Sequence, residues 1–172
     1  MLMILFGPSC SGKSTVAEMI HKETGIPVWV GKDYLRLAKD ETEAGEIFDS
    51  RLRDAAKEKT LSPHAMIYVV PSLKTLNAAI LESPGATKVK LFADIPVLKE
   101  RFNKRLQGQG NPPIDAMLQR QLNDIQDETG DMQFDTALMS PTDIANEISS
   151  RTLIGKQPIK GKRTRTVCVK RS

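Results

Sequence analysis

A short stretch near the start of the chain combines the residue types that bind a chain of phosphates. Positions 7–14 hold a glycine, four further residues, then glycine, lysine and serine, and a threonine follows. Glycine lets the backbone form a concave turn whose N–H groups point at one anion. The lysine can reach the β- and γ-phosphates of a nucleoside triphosphate, and the serine hydroxyl can ligate Mg²⁺. The predicted nucleotide-binding residues are Gly7, Pro8, Ser9, Cys10, Ser11, Gly12, Lys13, Ser14 and Thr15.

The segments on either side place this stretch where such a motif binds phosphate. The apolar run of residues 1–6 predicts a buried strand, and the periodic pattern from residue 13 to residue 24 predicts a helix that ends near Gly25. The N-terminus of that helix adds the positive end of its dipole. This strand–loop–helix order disfavours the alternative of a chance glycine-rich turn. The sequence therefore predicts a bound nucleoside triphosphate, with Lys13 as a catalytic residue and Ser14 as a magnesium ligand.

Short apolar segments alternate with helical patterns along the rest of the chain. Residues 27–30 are expected to form a strand buried on both faces, and residues 34–59 two helices with a break around residues 42–45. Strands that alternate with helices imply a mostly parallel sheet with helices on both faces, and ligands of such sheets lie beyond the carboxyl ends of the strands. The further predicted strands cover residues 65–70, 89–93 and 134–139.

Asp33 and Arg36 follow the second predicted strand. A carboxylate at that position faces the phosphate loop across the sheet edge, where it can orient Mg²⁺ through water or accept the proton of an attacking hydroxyl. Asp is also a favoured N-cap, so Asp33 can instead begin a helix at Tyr34. The planar guanidinium of Arg36 suits a phosphate or a carboxylate. We predict that Asp33 and Arg36 bind the acceptor and that Asp33 is also catalytic.

Three arginines flank a predicted flexible break at residues 108–113. Arg101 and Arg105 are four residues apart, on one face of the helix that precedes the break, and Arg120 lies beyond it. Such a segment can close over a triphosphate as a short lid and neutralise the charge of the transferring group. The alternative for each arginine is a solvated surface position. The hypothesis to test is that Arg101, Arg105 and Arg120 are catalytic.

Composition places the chain among soluble single-domain proteins. It has 172 residues, of which 40% are hydrophobic and 27% charged, and no apolar run approaches the ~20 residues that cross a bilayer. Its two cysteines lie far apart, so no disulfide framework is expected, which fits a cytoplasmic location. A membrane partner is therefore not predicted, and the sequence carries no signal for the oligomeric state.

The positive charge of the chain is concentrated at its end. Residues 155–172 contain seven basic side chains and no acidic one, so removing them from the net charge of +4 leaves −3 for the rest. The body of the protein is therefore not expected to hold nucleic acid, whereas the basic tail can contact phosphates. The same tail can also form an edge strand or stay unfolded.

These motifs resemble the small P-loop kinases, and within them the nucleoside monophosphate kinases. Residues 7–15 resemble the phosphate loop of guanylate kinases, and residues 33–36 the D-x-L-R stretch of adenylate kinases, whose arginine binds the phosphate of the acceptor. Residues 94–96, followed by the two arginines at 101 and 105, resemble the strand end and lid-entry arginines of the same kinases. Residues 105–128 are similar to the lid and following helix of guanylate kinases, which puts Arg120 near both phosphates.

The resemblance implies a fold, cofactors and a division of the chain. The implied fold is a three-layer α/β P-loop NTPase fold with a five-stranded, mostly parallel sheet, helices on both faces and a short lid. Residues 1–154 form the kinase domain, with a helical acceptor-binding part at 34–60 and a lid region at 101–120, and residues 155–172 form the tail. ATP is the expected donor and Mg²⁺ the expected cofactor. Residues 34–59 hold no counterpart of the small sheet with which guanylate kinases hold GMP.

Three functions stay open at this point. The first is transfer of the γ-phosphoryl group of ATP to a nucleoside monophosphate or a similar small phosphorylated metabolite. The second is transfer to a hydroxyl of a small molecule, such as a sugar or an antibiotic, with Asp33 as the base. The third is a nucleotide-binding regulatory module that uses the basic tail on nucleic acid.

Overall fold

The structure is a computed structural model that describes residues 1–106 and 114–152. Two 3-10 turns, Asp33–Leu37 and Leu73–Thr75, connect the main elements. The strands are β1 (Leu2–Phe6), β2 (Val28–Val30), β3 (Met66–Val70), β4 (Ala86–Phe92) and β5 (Met132–Asp135). The helices are α1 (Lys13–Thr24), α2 (Glu41–Ala56), α3 (Ala78–Leu81), α4 (Ile95–Arg105), α5 (Ile114–Asp124) and α6 (Pro141–Thr152).

The five strands form one sheet in the order β2-β3-β1-β4-β5, and every pair is parallel. At the centre, Leu5 of β1 is aligned with Val69 of β3 and Val89 of β4. The predicted five-stranded sheet is confirmed, and it is entirely parallel. Because the carboxyl ends of all five strands meet at one edge, the turn that follows β1 lies between the ends of its neighbours.

Alternating residues of β1 pack on opposite faces of the sheet. Met3 and Leu5 belong to a core that includes α1 and α6, whereas Leu2 and Ile4 belong to a core that includes α2 and α3. Every residue of β1 is fully buried, which explains why residues 1–6 form an uninterrupted apolar run. The sheet therefore lies between two helical layers, as predicted.

A third, smaller apolar cluster joins α4 to α5. Leu98 of α4 packs with Ile114 and Leu118 of α5, and Ala93 at the end of β4 closes the cluster. The predicted break at residues 108–113, which defines the lid, lies outside the described residues.

Two local predictions differ from the structure. β2 lies at the edge of the sheet and is not buried on both faces, since Val30 is 41% exposed. α2 runs without a break through residues 42–45, and the interruption comes earlier, at Ala38–Asp40. Asp40 caps the helix by accepting a hydrogen bond from the N–H of Glu43 at 2.9 Å, which fixes where α2 begins.

A capping box begins the last described helix, α6. Ser140 accepts a hydrogen bond from the N–H of Asp143 at 3.1 Å, and its hydroxyl donates to the Asp143 carboxylate at 2.6 Å. Within residues 1–106 and 114–152, no helix is long and apolar enough to span a membrane. The basic tail at residues 155–172 lies outside the described part of the chain, so the boundary after residue 154 stays a prediction.

Candidate active site

The turn after β1 adopts a backbone that most residues cannot follow. Gly7 has φ 148° and Gly12, which directly precedes α1, has φ 86°. A Cβ atom at Gly7 would overlap the carbonyl oxygen of Leu91 in β4. The N–H of Gly7 donates to the carbonyl of Pro71 beyond β3, at 3.3 Å. Contacts on both neighbouring strands thus hold the turn, and its concave backbone opens at the carboxyl edge of the sheet.

The Lys13 side chain folds over this turn. Its Nζ atom donates to the carbonyl oxygens of Gly7 at 2.8 Å and Pro8 at 2.6 Å. Burial of the ammonium group lowers the pKa of Lys13 from 10.5 to about 8, because the charged form loses water. Lys13 thus lies where the predicted phosphates bind, and its charge depends on pH just above neutrality.

Lys13 should make nucleotide binding pH-dependent. Phosphates favour the ammonium form, so binding ADP above pH 8 requires the uptake of a proton. We expect the Kd for MgADP to be nearly constant from pH 7 to 8 and then to rise by about tenfold per pH unit, measured by calorimetry. Lys13→Arg is the matched control, since its guanidinium stays charged and its Kd should lack this slope. A Kd of the parent protein that is constant from pH 7 to 9.5 would contradict the assignment.

A cleft of about 650 Å³ opens above the turn. One side is formed by the ends of β2 and β3, the other by the residues that follow β5 and by the first turn of α6. Two arginines of α4 lie over it. The lining residues are Ser9, Cys10, Gly12, Lys13, Ser14, Thr15, Val16, Val30, Gly31, Val69, Val70, Pro71, Arg101, Arg105, Thr136, Pro141 and Ile144.

The two arginines of α4 differ in how firmly they are held. The guanidinium of Arg101 donates to the hydroxyl of Thr136 at 2.8 Å and to its carbonyl at 2.6 Å, and reaches the carbonyl of Cys10 at 3.5 Å. It therefore ties the end of β5 to the phosphate loop. Arg105, one turn later, is exposed at the cleft.

Asp33 is held at the turn that ends β2. Its Oδ2 atom accepts a hydrogen bond from the N–H of Val30 at 2.9 Å. The 3-10 turn begins at Asp33 itself, and Lys32 before it provides no side-chain cap, so the predicted capping of a helix at Tyr34 does not occur. Among the described residues, the other carboxylate oxygen accepts no hydrogen bond from protein. Asp33 comes two positions after Gly31, which lines the cleft, but Asp33 itself does not line it.

Arg36 lies outside the cleft, against an aromatic cluster on the β2 side. Its guanidinium carbon is 4.6 Å from the centroid of the Trp29 ring, and that of Arg51 is 5.6 Å from the same centroid. Trp29 also packs on Phe48 of α2, with ring centroids 5.2 Å apart. The sequence predictions omitted Arg51, although its position three residues after the apolar Phe48 was a signal that it lies beside the buried face of α2.

Arg120 and its neighbour Gln121 have different surroundings on α5. Arg120 is exposed and does not line the cleft in the described part of the chain. The side chain of Gln121 instead reaches the phosphate loop, where its Oε1 accepts a hydrogen bond from the N–H of Ser9 at 2.8 Å. The structure thus brings Lys13, Arg101 and Arg105 together at the cleft and leaves Arg36 and Arg120 outside it.

The donor atoms at the cleft fit a magnesium ion that is shared with phosphates. Ser14 is exposed and its hydroxyl is available at the first turn of α1. Residues 1–106 and 114–152 contain no group of three or more His, Cys, Asp or Glu side chains that could hold a metal. Mg²⁺ keeps several waters and typically combines one or two protein oxygens with substrate phosphates. Ser14 can supply one such oxygen, and Asp33 can act through water.

Comparisons with known proteins give structural but not sequence relatives. No protein-family profile matches the chain, and no curated protein sequence does. The YorR protein of Bacillus subtilis, solved with phosphorylated GDP, is 25% identical with a TM-score of 0.61, over 86% of this chain and 93% of that one. A tunicamycin resistance protein of Deinococcus radiodurans is 20% identical with a TM-score of 0.60, over 91% and 96%.

A gluconokinase of Sinorhizobium meliloti is similar as well, with 23% identity and a TM-score of 0.57 over 84% of this chain and 87% of that one. The comparisons do not confirm the nucleoside monophosphate kinase group. The predicted fold class is confirmed: the chain has the three-layer α/β P-loop fold that small-molecule kinases share.

Proposed function

We propose that this protein is a kinase that transfers the γ-phosphoryl group of ATP to a small-molecule acceptor. The observation that carries the proposal is the phosphate loop, which places Lys13 and Ser14 in one cleft with the ends of β2 and β3. The loop N–H groups, the start of α1 and the Lys13 ammonium bind the donor phosphates. The opposite wall, at Gly31 and Pro71, leaves room for an acceptor. Arg105 supplies positive charge over both.

A hydroxyl is the acceptor group that Asp33 supports. One oxygen of its carboxylate is fixed by Val30, which leaves the other to accept a proton. In this step the acceptor oxygen forms a bond to the γ-phosphorus, and the bond from that phosphorus to the β–γ bridging oxygen breaks. The electron pair leaves with ADP, and the hydroxyl proton passes to Asp33. Ser14 and the phosphates would hold Mg²⁺, which would supply charge neutralisation there.

A phosphate is a second candidate acceptor, and the arginines at Trp29 favour it. Arg36 and Arg51 both lie within 6 Å of the Trp29 centroid, so two cationic side chains lie at the ring of one β2 residue, outside the cleft. Such a pair can hold an anionic group of the acceptor, either a phosphate or a carboxylate. A phosphate acceptor is already ionised and requires no base, so the two candidates differ in their need for Asp33.

Asp33→Asn distinguishes the two acceptor classes. Protein with MgATP is first incubated with a panel of nucleoside monophosphates and small hydroxylated metabolites, and products are identified by mass. If the acceptor is a hydroxyl, Asp33→Asn should lower kcat by about 10²–10⁴-fold, because the general base is lost. The KM for ATP should change little. Asp127→Asn, at an exposed aspartate outside the cleft, is the control and should retain parental kcat.

A kcat of Asp33→Asn within threefold of the parent, with a hydroxyl acceptor, would exclude Asp33 as the base. Absence of phosphorylated product with every acceptor, in protein that binds MgATP, would count against the kinase proposal itself.

A further inference from the structure

Gln121 of α5 makes a long-range contact with the phosphate loop. Its Oε1 atom lies 2.8 Å from the backbone nitrogen of Ser9, although the two residues are 112 positions apart. Ser9 belongs to the phosphate loop and lines the cleft. Gln121 is half-buried and is not itself a lining residue. Ordering a long polar side chain costs rotamer entropy, and the hydrogen bond to Ser9 offsets that cost.

The segment that carries Gln121 is held by contacts with the two strands that flank β1. Ile125, one turn later, packs in the core cluster that contains Trp29 and Phe48. The carboxylate of Glu128 accepts hydrogen bonds from the Ser72 hydroxyl at 2.5 Å and from the N–H of the next residue at 2.9 Å, just beyond β3. The Nζ atom of Lys90 in β4 donates to the carbonyl oxygens of Ile125 at 2.7 Å and Glu128 at 2.8 Å. Because β3 and β4 flank β1, these contacts hold the residues after α5 beside the turn that follows β1, within reach of Ser9.

The hydrogen bond also determines how the Gln121 amide is oriented. Because the N–H of Ser9 can only donate, the amide must turn its oxygen toward the loop. The Nε2 group then points away from Ser9, and among the described residues it donates to no protein acceptor. Gln119 on the same helix differs, since its Nε2 donates to Asn123 at 3.0 Å. With respect to residues 1–106 and 114–152, Gln121 thus keeps two N–H donors unpaired beside the loop.

We propose that Gln121 is a catalytic residue whose Nε2 group donates a hydrogen bond to the transferring γ-phosphoryl group. This inference rests on the proposed kinase function. Ser9 holds the amide in place, and the phosphoryl group moves past it as its bond to the β–γ bridging oxygen breaks and its bond to the acceptor oxygen forms. Fixed donors directed at developing charge lower the barrier without reorganisation. ADP lacks the γ-phosphoryl group and does not reach this donor.

Nucleotide affinity tests the proposal without requiring turnover. Gln121→Glu keeps an acceptor for Ser9 but replaces the donor with negative charge. We expect its Kd for the non-hydrolysable β,γ-imido analogue of MgATP to rise about tenfold or more, while its Kd for MgADP changes less than about threefold. Gln121→Met, which is uncharged and similar in length, should show the same selectivity with a smaller change. Calorimetry on the full chain measures both constants.

Gln119→Glu is the matched control, because it adds the same charge to the same helix at an exposed position. Its Kd values for both nucleotides should equal those of the parent. If Gln121→Glu does not fold, Gln121→Met carries the test. Equal weakening of both nucleotides would mean a purely structural contact, and unchanged affinity for both would mean no contact with phosphate; either result overturns the proposal.

Kinetics provide a second readout once an acceptor is known. Gln121→Met should lower kcat by about 10- to 100-fold and leave the KM for ATP nearly unchanged, because the donor acts most strongly in the transition state. An unchanged kcat would contradict the catalytic role. Failure to find any acceptor would count against the kinase function, whereas the ATP-to-ADP selectivity would still decide the role of Gln121.

Discussion

Lys13→Ala should abolish phosphoryl transfer while the protein stays folded. Its ammonium is the one cation that hydrogen-bonds to the loop carbonyls of Gly7 and Pro8 within the described residues, at the position where β- and γ-phosphates bind. We expect kcat/KM to fall by about a thousandfold or more, since charge stabilisation of the transferring group is the main catalytic term in this chemistry. Affinity for MgADP should fall as well, measured by calorimetry.

Stability separates this effect from misfolding. The folded pKa of Lys13, about 8, lies below its unfolded value, so at pH 7 the folded state holds a charge that burial disfavours. Removing that charge should leave the thermal unfolding midpoint at pH 7 unchanged or higher. Lys22→Ala, at an exposed position later on α1, is the control for the loss of a lysine from this helix. Transfer at the parental rate by Lys13→Ala would refute the mechanism.

The donor half of the site could be predicted because its signals are local. An apolar run, glycines at fixed positions, lysine and serine specify β1, the loop and the start of α1 within fifteen residues. The tight approach of Gly7 to Leu91 then follows from parallel pairing of β1 with β4. The central sheet was predictable for the same reason, since buried parallel strands read as continuous apolar segments.

Strand order and helix breaks depend on information that a local pattern lacks. Residues 28–30 are as apolar as a central strand, but pairing only with β3 leaves β2 at the edge and Val30 exposed. Gly45 looked like a helix break, yet a single glycine inside a helix costs only about 1 kcal/mol. The cap formed by Asp40 with Glu43 stabilises α2 by a similar amount. The spacing of these two acidic residues, typical of a capping box, was available in the sequence.

The acceptor half could not be predicted because it is assembled from distant segments. Arg51 was detectable only through its helical spacing from Phe48, and its approach to Trp29 depends on how α2 packs on the sheet. Gln121 has still less signal, since a glutamine in an amphipathic helix is normally a surface residue. Its contact with Ser9 depends on how the residues after α5 are held, by Glu128 at the end of β3 and by Lys90 of β4.

Gly7→Ala should both destabilise the fold and remove nucleotide binding. A Cβ atom there overlaps a backbone oxygen of β4, which cannot move without disturbing the central sheet, and it meets the Ser11 hydroxyl oxygen at 3.2 Å. The positive φ of Gly7 adds backbone strain for any L side chain. We expect a loss of about 2–5 kcal/mol in the free energy of unfolding, measured with urea, and no detectable MgADP binding.

Gly45→Ala is the matched control, and we expect it to raise the free energy of unfolding rather than lower it. Gly45 lies inside α2, and a Cβ atom there would meet nothing within 4 Å. Removing unfolded-state freedom should therefore raise the free energy of unfolding by about 0.5–1 kcal/mol, with unchanged MgADP affinity. Because the two variants carry the same chemical change, the difference between them isolates the backbone of the phosphate loop. Equal stability of Gly7→Ala and Gly45→Ala would show that β1 and β4 do not enclose Gly7, and the geometry assigned to the donor site would then be wrong.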